Sequence, residues 1–208
     1  MRIGILGGGN VGGTLGARWA SRGHEVMFGV RDPAAADMQA VLRRSERHAK
    51  AGSAADAAAF AEVIVNALPW GAAKTVLPSL NLQGKILLDV TNPVLPGLDG
   101  LEVGTTTSGG ELVAKWAAGA RVVKIFNTTG FGNMANPVYR AEPLPMFYCG
   151  DDPGAKATAS ELAAAIGFTP MDAGPLSNAR LLEPLALLWV RLAMGGLGLD
   201  FAFQIVKR

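Results

Sequence analysis

The chain reads as an α/β protein: a Rossmann-like, doubly wound and mostly parallel sheet with a C-terminal α/β extension. Three observations predict it. Short apolar runs alternate with stretches of helical period, the pattern of a parallel sheet covered on both faces. A glycine-rich turn joins the first apolar run to the first helical stretch. The 208 residues, half of them hydrophobic, suffice for one sizeable domain with a small extension.

Residues 2–6, RIGIL, form a short apolar run bounded by glycine, as a buried parallel strand requires. From Val11 to Arg22 the period turns helical: Val11, Leu15 and Trp19 recur every four residues. Gly12, Gly16 and Ala20 line the neighbouring face and let the helix lie close to a sheet, and Gly23 ends it. Residues 24–30 are the second strand. The stretch 34–51 is Ala-rich and charged; within it LRRSERHAK (42–50) reads as one solvated helical face, and 49–61 as a loosely packed surface helix. Further strands are expected over 62–68, 85–91, 121–127 and 144–150, with helices over 72–80, 109–118 and 153–166. In the last, Ala159, Leu162, Ala163 and Ile166 share a face. In the closing helix, about 177–193, Leu181, Leu185, Leu188, Trp189 and Leu192 are read on one side, and Pro184 predicts a kink or restart. That helix offers more apolar surface than one sheet edge needs, which predicts a homodimer. Residues 1–140 are read as the nucleotide-binding unit. Residues 141–208 are read as an extension carrying substrate-pocket and dimer contacts, packed with it as one unit.

Composition narrows the function classes. A net charge of +2 without a basic cluster argues against nucleic acid. The single Cys149 excludes an intramolecular disulfide and a multi-cysteine metal site. Its apolar run, MFYCG, predicts a buried thiol, and a reducing cytoplasmic compartment fits. The apolar start, IGIL, is too short for a secretory signal. Residues 185–203 are interrupted by Arg191, Asp200 and three glycines, so a buried or interface helix is expected rather than a membrane span. No metal-ligand spacing and no Ser-His-Asp set can be assembled, since His24 and His48 both fall in surface-like stretches. No catalytic acid, base or metal site is assigned.

The chemistry-bearing motif is Gly7-Gly8-Gly9-Asn10-Val11-Gly12. Gly7 suits a sharp turn, a side chain at Gly9 would collide with a pyrophosphate, and Gly12 lets helix and strand approach. The helix N-terminus then offers free N–H groups and a favourable dipole to phosphate. An acid at the end of the second strand would read ribose hydroxyls and select NAD; here stand Val30 and Arg31. A guanidinium grips a 2′-phosphate, so NADP(H) is the expected cofactor. Asp32 competes as a ribose acceptor, as a partner for Arg31 or as the start of a turn. Leu68, Pro69 and Trp70 end the third apolar run at the ligand crevice, where Trp70 either walls the nicotinamide or caps the core. Asn92 ends the next strand, able to bond a carboxamide or ribose. Asn127, Thr128, Thr129 and Phe131 end another, in a loop suited to a flat ring and assigned to substrate.

Together GGGNVG, GHEVMFGVRDP, LPW, CGDD and DAGPLSNARLLEPL resemble the deazaflavin (coenzyme F420)-dependent NADP oxidoreductase family over nearly the whole chain. A looser likeness, through VVKIFNT, extends to the reductase domain of membrane ferric reductases. The resemblance implies NADP phosphates on Gly8, Gly9, Asn10 and Val11, with the 2′-phosphate at a Ser-Arg pair that here is Val30 and Arg31. The family's deazaflavin segment aligns loosely with FNTTGFGNMANP, where the residues differ. It also implies hydride transfer between NADP(H) and a deazaflavin or flavin, the cofactors carrying the reactive atoms. Two other readings stand beside it. One is an NADP(H)-binding redox sensor or partner subunit without turnover. The other is a reductase of small imines or carbonyls, which needs a proton donor; Tyr139 and Tyr148 are the only tyrosines. For Arg180 and Glu183 an ion pair with a partner subunit is expected.

Overall fold

The computed structural model describes residues 1–45, 48–206 and 208. Glu46 and Arg47, within the solvated face expected over 42–50, lie outside the described residues. In chain order the elements are β1 (Arg2–Leu6), α1 (Asn10–Ala20), β2 (Glu25–Gly29), α2 (Ala36–Arg44), β3 (Ala49–Gly52), α3 (Ala54–Phe60) and β4 (Val63–Asn66). There follow α4 (Trp70–Val76), β5 (Ile86–Asp89), α5 (Gly109–Trp116), β6 (Arg121–Ile125) and α6 (Phe131–Ala135). A small hairpin, β7 (Val138–Tyr139) and β8 (Glu142–Pro143), leads into β9 (Pro145–Gly150), α7 (Pro153–Ala165), β10 (Thr169–Asp172) and α8 (Ala179–Leu192).

Eight strands form one sheet in the order β10-β9-β6-β5-β4-β1-β2-β3. All neighbours are parallel except β6 and β9. Chain order reverses between β1 and β4, so a crevice opens at the carboxyl ends of those strands, the usual ligand position in such sheets. One face is covered by α1, α2 and α7 around Leu15, Trp19, Met38 and Leu162. The other is covered by α3, α4 and α5 around Ala57, Ala73, Leu77 and Val113. Trp19 ties the first face together: it is fully buried, donates to the Leu162 carbonyl at 2.9 Å and meets Phe126 edge-on at 5.7 Å.

The stretch 49–61 corrects the sequence reading. Instead of a loose surface helix it gives β3 and then α3, opened by a capping box in which Ser53 and Asp56 satisfy each other's backbone N–H groups. Ala57 and Ala58 are buried. A Cβ at Gly4 would stand 2.5 Å from the Ala57 carbonyl oxygen, and one at Gly29 2.9 Å from the Ala54 Cα. The alanines and glycines are thus two sides of one close helix–sheet contact. At the other edge β10 adds a strand the sequence reading missed. Pro184 does not divide α8, which runs unbroken with that residue exposed.

Candidate dinucleotide and acceptor site

The glycine loop leaves β1 at Gly7, whose φ of +101° favours glycine. A Cβ there would also stand 2.5 Å from the Ala67 carbonyl oxygen, so the loop lies against the end of β4. At Gly12 a Cβ would meet the Gly7 carbonyl oxygen, the Ala67 Cβ and Ile5, which is the close helix–strand approach the motif predicts. Gly9 differs. It is the N-cap of α1, no side chain caps the helix, its first turn carries no acid, and a Cβ at Gly9 would meet nothing within 4 Å. Open space therefore faces a helix N-terminus whose first N–H groups no side chain takes. Exposed Asn10 and half-buried Val11 begin that turn.

Beside the loop, β2 gives way to Val30 and Arg31. Val30 is half-buried, and its Cγ1 and the Met38 sulfur would stand 3.2 and 2.9 Å from a Cβ at Gly8. Arg31 is exposed and makes no salt bridge among the described residues. The Asp32 carboxylate accepts from the Ala34 N–H at 2.9 Å, starting the turn. It does not hold Arg31.

The carboxyl ends of β4, β5 and β6 carry a buried polar row, which sequence reasoning missed. Asn66, Asp89 and Lys124 lie in register on adjacent strands, all fully buried. Asn66 Nδ2 donates to Asp89 Oδ1 at 3.0 Å. Lys124 Nζ lies 2.8 Å from Asp89 Oδ2 and 2.8 Å from Glu183 Oε1 of α8. Glu183 also accepts from the Gly109 and Gly110 N–H groups that open α5, at 2.8 and 2.9 Å. Burial opposes the Lys124 charge, and the two carboxylates outweigh it, so the ammonium holds its proton above the usual lysine value. Glu183 is thus paired within the chain rather than with a partner subunit, and so is Arg180, which grips Glu111 at 2.6 and 2.9 Å. Cys149 is buried as expected, and burial pushes its thiol up to about 12.

Trp70 turns toward α5: its ring lies 5.0 Å from Trp116 and its Nε1 donates to Glu102 at 2.8 Å. Leu68 is half-buried against the same cluster, and Pro69 is the exposed N-cap of α4. Asn92 and Asn127 clasp each other. Asn92 Nδ2 donates to the Asn127 carbonyl at 2.9 Å, and Asn127 Nδ2 to Asn92 Oδ1 at 3.0 Å and to the Leu182 carbonyl at 3.2 Å. The loops after β5 and β6 are thereby drawn together. The Oδ1 atoms of Asn66 and Asn127 are buried with no partner among the described residues. Phe126, at the turn into this loop, has a φ of +59° although fully buried. Backbone held in that region by its surroundings is frequent at functional sites.

Thr128 is buried, Thr129 accepts from Asn133 Nδ2 at 2.7 Å, and Phe131 is 40% exposed. Tyr139 spends its hydroxyl on Asn133 Oδ1 at 2.7 Å, and Tyr148 is buried in β9, so neither stands free as a proton donor. Trp189, read on the same side as Leu181 and Leu188, points inward with Leu182, Glu183 and Ala186, while Leu181, Leu188 and Leu192 are exposed. Its ring stacks on Phe201 of the tail at 5.0 Å and 10°.

Comparison with known proteins bears on this geometry. Residues 2–93 match the family described as NADP oxidoreductase coenzyme F420-dependent. The F420-dependent NADP reductase of Methanothermobacter thermautotrophicus is 30% identical over 209 residues, covering 92% of this chain and 89% of the relative. The chain belongs to the F420-dependent NADP reductase family. Membership places it among the NADP-dependent oxidoreductases. The rat metalloreductase STEAP3 is 34% identical over 97% of this chain, which spans 40% of that relative's length. A crystal structure from Arthrobacter sp. FB24, assigned as an F420-dependent NADP-reductase, superposes with a TM-score of 0.88 at 32% identity, covering 99% of both chains. The glycine loop and the uncapped start of α1 fit the dinucleotide of the family, and Arg31 fits its 2′-phosphate. No helix among the described residues is long and apolar enough to cross a membrane.

Proposed function

We propose that this protein transfers a hydride between NADP(H) and a deazaflavin or flavin-type acceptor. The observation that carries the reading is the uncapped, glycine-cleared N-terminus of α1 beside the exposed Arg31. The N–H groups of Asn10, Val11 and Gly12 hold the pyrophosphate, with the helix dipole favouring its charge. Arg31 grips the 2′-phosphate by charge-assisted bonds, and Val30 and Gly8 form the floor beneath. The nicotinamide, when bound, supplies or takes the hydride at its C4 carbon. The crevice between β1 and β4 orients it: Leu68 and Pro69 bound one side, the Asn92–Asn127 clasp fixes the other, and Asn127 Oδ1 is left to accept from a carboxamide. Thr128, Thr129 and Phe131 border the acceptor. The chain's role is to align two flat rings and exclude water.

Residues 1–140 hold the dinucleotide, and 141–208 complete the acceptor side and supply the face for a second copy in a cytoplasmic homodimer. The test is rapid mixing with NADPH and each acceptor, F420 and riboflavin 5′-phosphate, following absorbance. Oxidation of NADPH by one of them is expected. Tight NADPH binding without oxidation by either would replace this reading with that of a non-catalytic NADPH-binding protein.

A further inference from the structure

The end of the chain returns to the acceptor side of the crevice. After α8 the helix widens into one looser turn, Ala193–Leu197, with Gly196 at a φ of +115°, and Gly198 follows at +75°. A Cβ at Gly195, Gly196 or Gly198 would meet nothing within 4 Å. The tail beyond these glycines is half-buried over residues 201–203, with Ala202 against the core. The Phe201 carbonyl accepts from Asn133 Nδ2 at 2.8 Å and from Trp189 Nε1 at 3.2 Å. Phe203 and Ala202 line a small cavity together with Thr128, Thr129, Leu144 and Phe147. The Phe201 ring lies flat on the Trp189 indole, 10° from parallel.

Trp189 is held by the body of the fold, whereas the Phe201 ring meets rings alone, Trp189 face-on and Phe203 edge-on. Its indole leans on Gly130, where a Cβ would stand 2.5 Å from its ring. It sits on a helix anchored by Glu183 to α5 and β6. An indole held by the body of the fold is therefore covered on one face by a phenyl ring of the tail, directly beside the loop after β6. Offset parallel stacking at this spacing is what any flat aromatic system adopts on an indole.

We propose that Trp189 is the stacking platform for the planar ring of the hydride acceptor and that Phe201 holds its place until the acceptor displaces it. This deepens the function proposed above and rests on it. Trp189 then sets specificity for extended planar rings over small carbonyls, and the tail swings on Gly196 and Gly198 to admit them.

The experiment titrates oxidised riboflavin 5′-phosphate and, separately, F420 into the full-length protein loaded with NADP+. Ring fluorescence is followed, and turnover with NADPH is measured alongside. Phe201→Ala is expected to tighten ring binding three- to tenfold and lower the acceptor KM in step, with the KM for NADPH unchanged. Trp189→Leu is expected to weaken ring binding at least tenfold with NADPH affinity retained. Truncation after Gly198 should behave as Phe201→Ala, and circular dichroism establishes that each variant is folded. If wild type oxidises NADPH with a ring acceptor and Phe201→Ala binds that acceptor no tighter, the placeholder role is overturned and the hydride-transfer reading stands. If neither acceptor binds or oxidises NADPH in wild type or in Phe201→Ala, both fall.

Discussion

Replacing Lys124 by methionine removes the one cation from a buried cluster of two carboxylates, and the cost can be worked from its contacts. Lys124 Nζ lies 2.8 Å from both Asp89 and Glu183, and all three side chains are at most 1% exposed. Removing one partner of a buried ion pair costs about 3–5 kcal/mol. The remaining bonds soften this. Glu183 keeps two N–H donors from α5, and Asp89 keeps Asn66 Nδ2 and both the N–H and hydroxyl of Thr91. The expected loss is therefore about 3–4 kcal/mol, the lower part of that range, by urea denaturation with an unchanged m-value. Glu183→Gln added to Lys124→Met removes one of the two stranded carboxylate charges and should recover part of it. A loss under about 1 kcal/mol would refute the charge argument.

Arg31→Ala should weaken NADPH binding about ten- to a hundredfold, the worth of a charged bond to phosphate, and leave NADH nearly unchanged; equal losses by calorimetry would remove Arg31 from the 2′-phosphate. Gly9→Val should abolish dinucleotide binding in a folded protein, because a Cβ there meets no protein atom and would project into the phosphate cradle; retained affinity in a titration would contradict this. Hydrogen bonding by Arg180 holds Glu111 below its ordinary value, so that pair stabilises at neutral pH and its contribution is lost as pH falls through the folded value. Glu111→Gln should accordingly flatten part of the acid limb of a melting-temperature profile, and an unchanged limb would place the acid sensitivity elsewhere. Leu181, Leu188 and Leu192 expose an apolar stripe that Met194, Leu197 and Leu199 continue; light scattering should give a dimer mass at micromolar protein, and a monomer would leave the stripe uncovered.

The glycine loop was legible because geometry leaves little choice at Gly7 and Gly12. Arg31 was legible because its position after β2 is fixed by the length of α1. β3 was hidden because AKAG has no β-branched residue; it exists because β2 offers it an edge. The polar row left a trace, charges inside the apolar runs KILLDVT and RVVKIFN, but their pairing joins residues 89, 124 and 183, which only the sheet order brings together. In α8 the true inward stripe is Ala179, Leu182, Glu183, Ala186 and Trp189. It follows helical period, yet it contains a charge; of the side read from the leucines, Leu181, Leu188 and Leu192 face outward and Trp189 turns inward. The Asn92–Asn127 clasp left no local signal at all.

The Lys124–Glu183 pair also bears on how the chain can be made. Synthesis delivers the N-terminal part first, and folding generally follows in that order. β6 and its lysine emerge long before α8, so until residue 183 arrives the ammonium has Asp89 but not its second carboxylate, and α5 opens without the acid that takes its first N–H groups. The sheet must also wait for β9 before β6 ceases to be an edge. A nascent chain stopped near residue 140 therefore holds an unfinished floor beneath its crevice, and the locking step comes when α8 arrives.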